Sequence, residues 1–150
     1  MSAATQVQDE VPSIASGLSD RLRALTMALD RLDRLESGSG EWLSKFREDE
    51  LSEAAGELTL RMLRAAADPT NFKVLAALAN PDSVSLDRLI EATGVLRLAL
   101  SERLNDLVQV GLVSRNIDTD HAQITLAGKS IVQLIRRIAS EVSDQYLESR

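Results

Sequence analysis

The 150-residue chain contains no cysteine, which excludes disulfides, thiolate metal sites and thiol nucleophiles. A reducing compartment is compatible with that lack. Aromatic residues make up only 3%, whereas hydrophobic residues reach 44%, so the core is expected to be aliphatic and helical rather than that of a β-sandwich. A single histidine, His121, rules out a histidine metal cluster or a relay of histidines. Long apolar runs are missing too. None approaches the roughly 20 residues of a membrane span, and the first residues, MSAATQVQDEVPSIAS, lack the basic start and apolar block of a signal peptide, so a cytoplasmic protein without membrane contact is expected. Positive charge is in deficit, with 17 Lys and Arg against 23 Asp and Glu, a formal charge of −6 that opposes sequence-independent attraction to phosphate. Charged residues at 27% still describe a folded chain, not a disordered one.

What is present is helical periodicity. Residues 1–16 are small and polar with Pro12 among them, and are expected to form a flexible tail. From there, Leu18, Leu22, Leu25, Leu29 and Leu32 alternate by four and three residues, the stripe of a short coiled coil, so residues 17–50 are read as a helical extension for dimerisation or partner contact. SGSG at 37–40 breaks it. Trp42 and Phe46 follow one turn apart as packing anchors, and Leu51, Ala55, Leu58, Met62 and Ala66 predict a longer helix.

Residues 51–150 read as one domain. Asp68-Pro69 supplies an N-cap followed by proline at the first helical position. Ser85 is placed to cap the next helix and Gly94 to end it; a few residues later comes a helix that buries Leu100, Leu104 and Leu107. Two short helices about a tight glycine turn make a helix-turn-helix. Gly111 ends the second, LVSRNI and AQITL read as a hairpin about DTDH, and Thr125 caps a last helix with an apolar stripe of Ile131, Leu134, Ile135, Ile138 and Val142. The fold class expected is mainly α: a winged helix-turn-helix with a two-stranded wing and an N-terminal helical extension.

The segments LRAAADPTNFKVLAALA and SLDRLIEATGVLRLALSERLNDLVQVGLV, with the hairpin, resemble the winged helix-turn-helix of ArsR-type bacterial and archaeal repressors over about residues 52 to 145. The most specific pieces are Ala67-Asp68-Pro69-Thr70 and the block from Gly94 to Val113. This resemblance implies a homodimer, paired through the flanking helices, whose recognition helices enter successive major grooves of double-stranded DNA. Where that family places a thiolate metal site, this chain has Ser85 and Asp87, and hard oxygens are poor substitutes for soft thiolates. The last helix carries Glu141, Asp144 and Glu148 without a histidine, a solvated face rather than a zinc site. No metal and no other cofactor is expected.

The recognition helix departs from the family in chemistry. Leu96 stands at the cap and Leu98 at a contact position, where a leucine can neither accept from free N–H groups nor hydrogen-bond a base edge. Glu102 falls where a basic side chain is usual. Arg97, Ser101, Arg103 and Asn105 remain suited to bases or phosphates, with Arg115 and Lys129 for the backbone, although the hairpin tip is acidic. His121 reads as an exposed loop residue. Ala127-Gly128-Lys129-Ser130 ends like a phosphate loop, but position 123 is glutamine where that motif needs glycine, and no catalytic constellation is found, so an enzyme is not expected.

Two functions are therefore in view. One is a sequence-specific DNA-binding transcriptional regulator, a repressor acting as a winged-helix homodimer. The alternative is a winged-helix protein interaction module with weak or no DNA binding, in which Leu96, Leu98, Leu18, Leu22, Leu25 and Leu29 contact a protein partner.

Overall fold

The computed structural model describes residues 3–37, 48–79 and 82–149, with side chains described over 10–28, 50–79 and 82–149. Among the described residues six helices and a small sheet follow in the order α1 (Ala3–Ser37), α2 (Glu48–Ala67), α3 (Pro69–Ala77), β1 (Val84–Ser85), α4 (Leu86–Thr93), α5 (Arg97–Gln109), β2 (Val113–Asn116), β3 (His121–Ile124) and α6 (Leu126–Glu148). The chain is mainly helical. Its sheet is antiparallel with β3 in the middle: Arg115 lies opposite Ala122 on one side, and Val84 lies opposite the same Ala122 on the other. The expected two-stranded hairpin thus gains a third strand. Two residues are too short for any alternation to show in a sequence. Among the described residues no helix is long and apolar enough to cross a membrane.

Side-chain caps set the helix starts. The Asp68 carboxylate accepts from Asn71 N–H at 3.0 Å, with Pro69 at the first position where no N–H is missed. Asn71 is itself buried and donates from Nδ2 to the Ala65 carbonyl, which fixes the corner between α2 and α3. Ser85 Oγ accepts from Arg88 N–H. The turn between α4 and α5 is built by Thr93 and Gly94. Thr93 donates to the Leu89 carbonyl at 2.6 Å and accepts from Val95 N–H, while Gly94 takes φ of 71°, which glycine adopts without a Cβ penalty. Thr125 joins the end of α5 to the start of α6, donating to the Gly111 carbonyl at 2.7 Å and accepting from Gly128 N–H at 3.0 Å.

The core is aliphatic, as the composition implies. Leu75, Leu78, Leu89, Leu100, Leu104, Leu107 and Leu112 are fully buried between α3, α4, α5 and the sheet, and Met62 and Ile131 close it from α2 and α6. Gly128 sits against this core so closely that a methyl group added there would collide with the Leu112 carbonyl oxygen and lie 2.8 Å from Ile124 Cγ1. That close approach accounts for the glycine in the phosphate-loop-like sequence.

The N-terminal segment differs from expectation. Residues 3–16, read as a flexible tail, are helical, and the helix runs through Pro12. Proline inside a helix costs about 3 kcal/mol. Opposing that cost, α1 packs antiparallel along α6: Ile14 joins the core, Gly17 lies against Ala127, and buried Glu10 pairs with Arg137 at 2.9 Å. Part of the leucine stripe is likewise used within the chain. Leu18 and Leu22 are half-buried in an apolar cleft of about 530 Å³ between α1, α2 and α6, and Leu25 borders a smaller cleft with Val110. The side chains of Leu29, Leu32, Trp42 and Phe46 lie outside the described residues.

Candidate functional site

Helices α4 and α5, with the β2–β3 hairpin beside them, form the face on which the candidate residues converge. Residues 97, 101 and 105 are spaced by four along α5 and share one helical row. Arg97 is the first residue of that helix. Leu96, its N-cap, has the extended backbone of a cap (φ −67°, ψ 151°) but makes no side-chain hydrogen bond. Leu96 is 78% exposed and Leu98 75%, while Ile117, at the turn of the hairpin, is 80% exposed. Glu102 is also exposed.

The arginines of this face are held by the chain's own carboxylates. Arg97 Nη2 contacts Asp87 Oδ1, and its Nη1 lies 3.6 Å from Asp120 Oδ2. The other oxygen of Asp120 takes Arg115 Nη2 at 3.4 Å. Arg115 Nη1 then donates to Ser101 Oγ at 3.0 Å and to Asn105 Oδ1 at 3.4 Å. Two aspartates and two arginines therefore alternate in one chain, Asp87, Arg97, Asp120, Arg115, whose charges cancel. Arg115 is the anchored member, its side chain only 15% exposed.

Asp120 earns its place through the backbone as well. It has φ of 56°, a left-handed conformation in which aspartate is more readily found than most residues, and its carbonyl accepts from Leu86 N–H at the start of α4. Strand β1 pairs with β3 next to it. The hairpin end is thus tied to α4 by the Leu86–Asp120 backbone bond, and to α5 by the Arg97–Asp120 ion pair and the hydrogen bonds of Arg115 to Ser101 and Asn105. Leu86, Arg97, Leu98, Ser101, Arg115 and Asp120 surround a shallow cleft of about 420 Å³ at this junction.

The remaining predicted residues are dispersed. Arg103 faces away toward α3, where its Nη1 lies 3.3 Å from Asp68 Oδ2. Donation from Asn71 N–H holds the Asp68 carboxyl below the usual aspartate range, with the Arg103 guanidinium acting in the same direction and partial burial opposing both. Lys129 is exposed in the first turn of α6 and makes no hydrogen bond or ion pair with the quartet. His121 is the first residue of β3 and half-buried, its Nδ1 donating to the Thr119 carbonyl at 2.6 Å. Among the described residues no group of three or more histidines or carboxylates is placed to hold a metal ion.

The pairing of Asp87 and Asp120 with Arg97, and of Asp68, legible as an N-cap, with Arg103, was not legible in the sequence. The acidic hairpin tip was the visible signal for Asp120, but its partner Arg97 lies on another element, 23 positions away. Between residues 86 and 121 there are four arginines against six carboxylates, so the face as a whole carries no positive excess. Comparison of the chain with protein-family models, with curated proteins and with solved structures finds no match.

Proposed function

We propose that this chain is a winged-helix DNA-binding regulator, a repressor that acts as a homodimer with α5 as its reading helix. One observation carries the reading: α5 leaves a tight glycine turn with the row Arg97, Ser101, Asn105 facing out beside a hairpin fastened to it by Arg115. Helices joined in this way lay the second helix in the major groove with its N-terminal residues on base edges. Arg97 is the reader. Its guanidinium has donors beyond the two carboxylate contacts, and paired N–H donors match the acceptors of guanine. Lys129, exposed in the first turn of α6, is the candidate for a backbone phosphate, whereas Arg103 is turned toward Asp68.

Homodimerisation is supported by α6. Its apolar stripe is buried at Ile131, half-buried at Leu134 and Ile135, and exposed at Ile138 and Val142. A stripe that continues off the domain is what a two-fold pairing would cover. Paired reading helices would then span half-sites about 10 base pairs apart. Electrophoretic mobility shift of the purified protein on duplexes bearing inverted repeats tests this, with Arg97→Ala expected to abolish preference among them. Equal affinity of wild type and Arg97→Ala for every duplex overturns it.

A second reading is favoured by Leu96, Leu98 and Ile117, three exposed apolar side chains on the same α5 and hairpin region. In that reading the face docks a protein. Leu98→Ser separates the two: it leaves DNA binding in place under the first and removes the partner under the second.

A further inference from the structure

Resting on the DNA-binding reading above, we propose that Asp87 and Asp120 are specificity-determining residues, which suppress sequence-independent attraction to phosphate by matching Arg97 and Arg115 charge for charge. The quartet alternates aspartate and arginine and is neutral as a unit. Free arginines placed against a duplex neutralise phosphates and release condensed cations, which supplies most of nonspecific affinity. A neutral quartet adds no net positive charge to the DNA surface, so those cations stay where they are. For Arg97 to take a phosphate, it must exchange one anion for another.

A base edge is different. Guanine offers two uncharged acceptors, and Arg97 can donate to them with hydrogens that neither carboxylate uses, leaving the quartet intact. The geometry thus penalises phosphate and spares the base. Exposure permits this, since Arg97 stands half-exposed on the outer row of α5 while Arg115, beneath it, is held by Ser101, Asn105 and Asp120. The salt dependence of DNA binding is then expected to be shallow for two reasons, the small number of cations and the matching of the arginines present.

The test uses Asp120→Asn and Asp87→Asn, singly and together, in the whole chain. Asparagine also tolerates the left-handed backbone of position 120, so the hairpin is kept while the charge is lost. Asp87 is exposed in the first turn of α4, away from the left-handed backbone of position 120, which makes its variant an independent check on folding. Affinity for a random-sequence duplex and for a selected site is measured by fluorescence anisotropy across a salt series, and elution from immobilised heparin is recorded in parallel.

Expected for the double variant is random-duplex affinity about tenfold tighter, a plot of log affinity against log salt steeper by about one per protomer, and a smaller ratio of specific to nonspecific binding. Unchanged slope and ratio in variants that melt like wild type would overturn the proposal while leaving DNA binding standing. If no protein selects a duplex, the DNA reading falls by itself. Heparin then decides the charge-matching claim: later elution of the variants supports it, and elution at the wild-type salt overturns it.

Discussion

Replacing Leu96 by serine should make this protein more stable, although it removes a leucine. The backbone at position 96 already has the extended conformation of an N-cap, and no side chain accepts from the free N–H groups of the first turn of α5. A serine there would accept from the N–H of Leu98 or Ala99, a gain of about 1 kcal/mol over a residue that cannot cap. Against this stands the lost burial. Leu96 is 78% exposed, so only about a fifth of a full leucine transfer is forfeited, roughly 0.5 kcal/mol. The net gain of about 0.5 kcal/mol corresponds to a rise in Tm of about 1 to 2 °C for a chain of this size. Urea unfolding of wild type, Leu96→Ser and Leu96→Ala measures it, with the alanine variant reporting the lost burial alone. Serine and alanine behaving alike would refute the capping argument. A loss above about 1 kcal/mol for both would mean that Leu96 is covered in solution, the outcome the protein-docking reading requires.

Other perturbations test the frame that holds this helix. Gly128→Ala should destabilise by about 2 to 3 kcal/mol despite the better helix propensity of alanine, because the new methyl group meets the Leu112 carbonyl and Ile124; unchanged thermal unfolding would contradict the close approach. Leu104→Ala, at a fully buried position between α5 and the rest of the core, should cost about 2.7 to 5 kcal/mol by chemical denaturation. Asp68 is held below the usual aspartate range in the folded chain, so its charge stabilises the fold at neutral pH, and that contribution is lost as pH falls through the folded value. Asp68→Asn keeps an N-cap but not the charge. It should be less stable than wild type at pH 7, and the difference should narrow as pH falls through the lowered folded value, where the wild-type carboxyl becomes protonated as well.

The parts of the fold written in local chemistry were readable from the chain. Asp68, Ser85, Gly94, Gly111 and Thr125 each mark a helix end by a backbone requirement that few other residues meet, and all five mark ends in the structure. Leu100, Leu104 and Leu107 reveal the inner face of α5 by their spacing. What tertiary packing decides was not readable. Strand β1 exists because β3 offers it a ladder, not because Val84 and Ser85 prefer one. Helix α1 extends to Ala3 past Pro12, with α6 receiving Ile14 and Glu10, a benefit invisible in a polar, aperiodic segment. The candidate site divides the same way. Arg97, Ser101 and Asn105 follow from helical spacing, but the matching of Arg97 to Asp87 and Asp120 depends on how α4 and the hairpin meet α5. That matching turns a shortage of positive charge into a candidate device for selectivity.

Whether α5 reads a base sequence is decided by selection of the purified 150-residue chain on a random duplex library at low salt, with sequencing of the retained DNA. Enrichment of inverted repeats with guanine in each half-site and centres about 10 base pairs apart is expected, and its loss in Arg97→Ala. A retained pool indistinguishable in sequence from the starting library, or no retention at all, would contradict it.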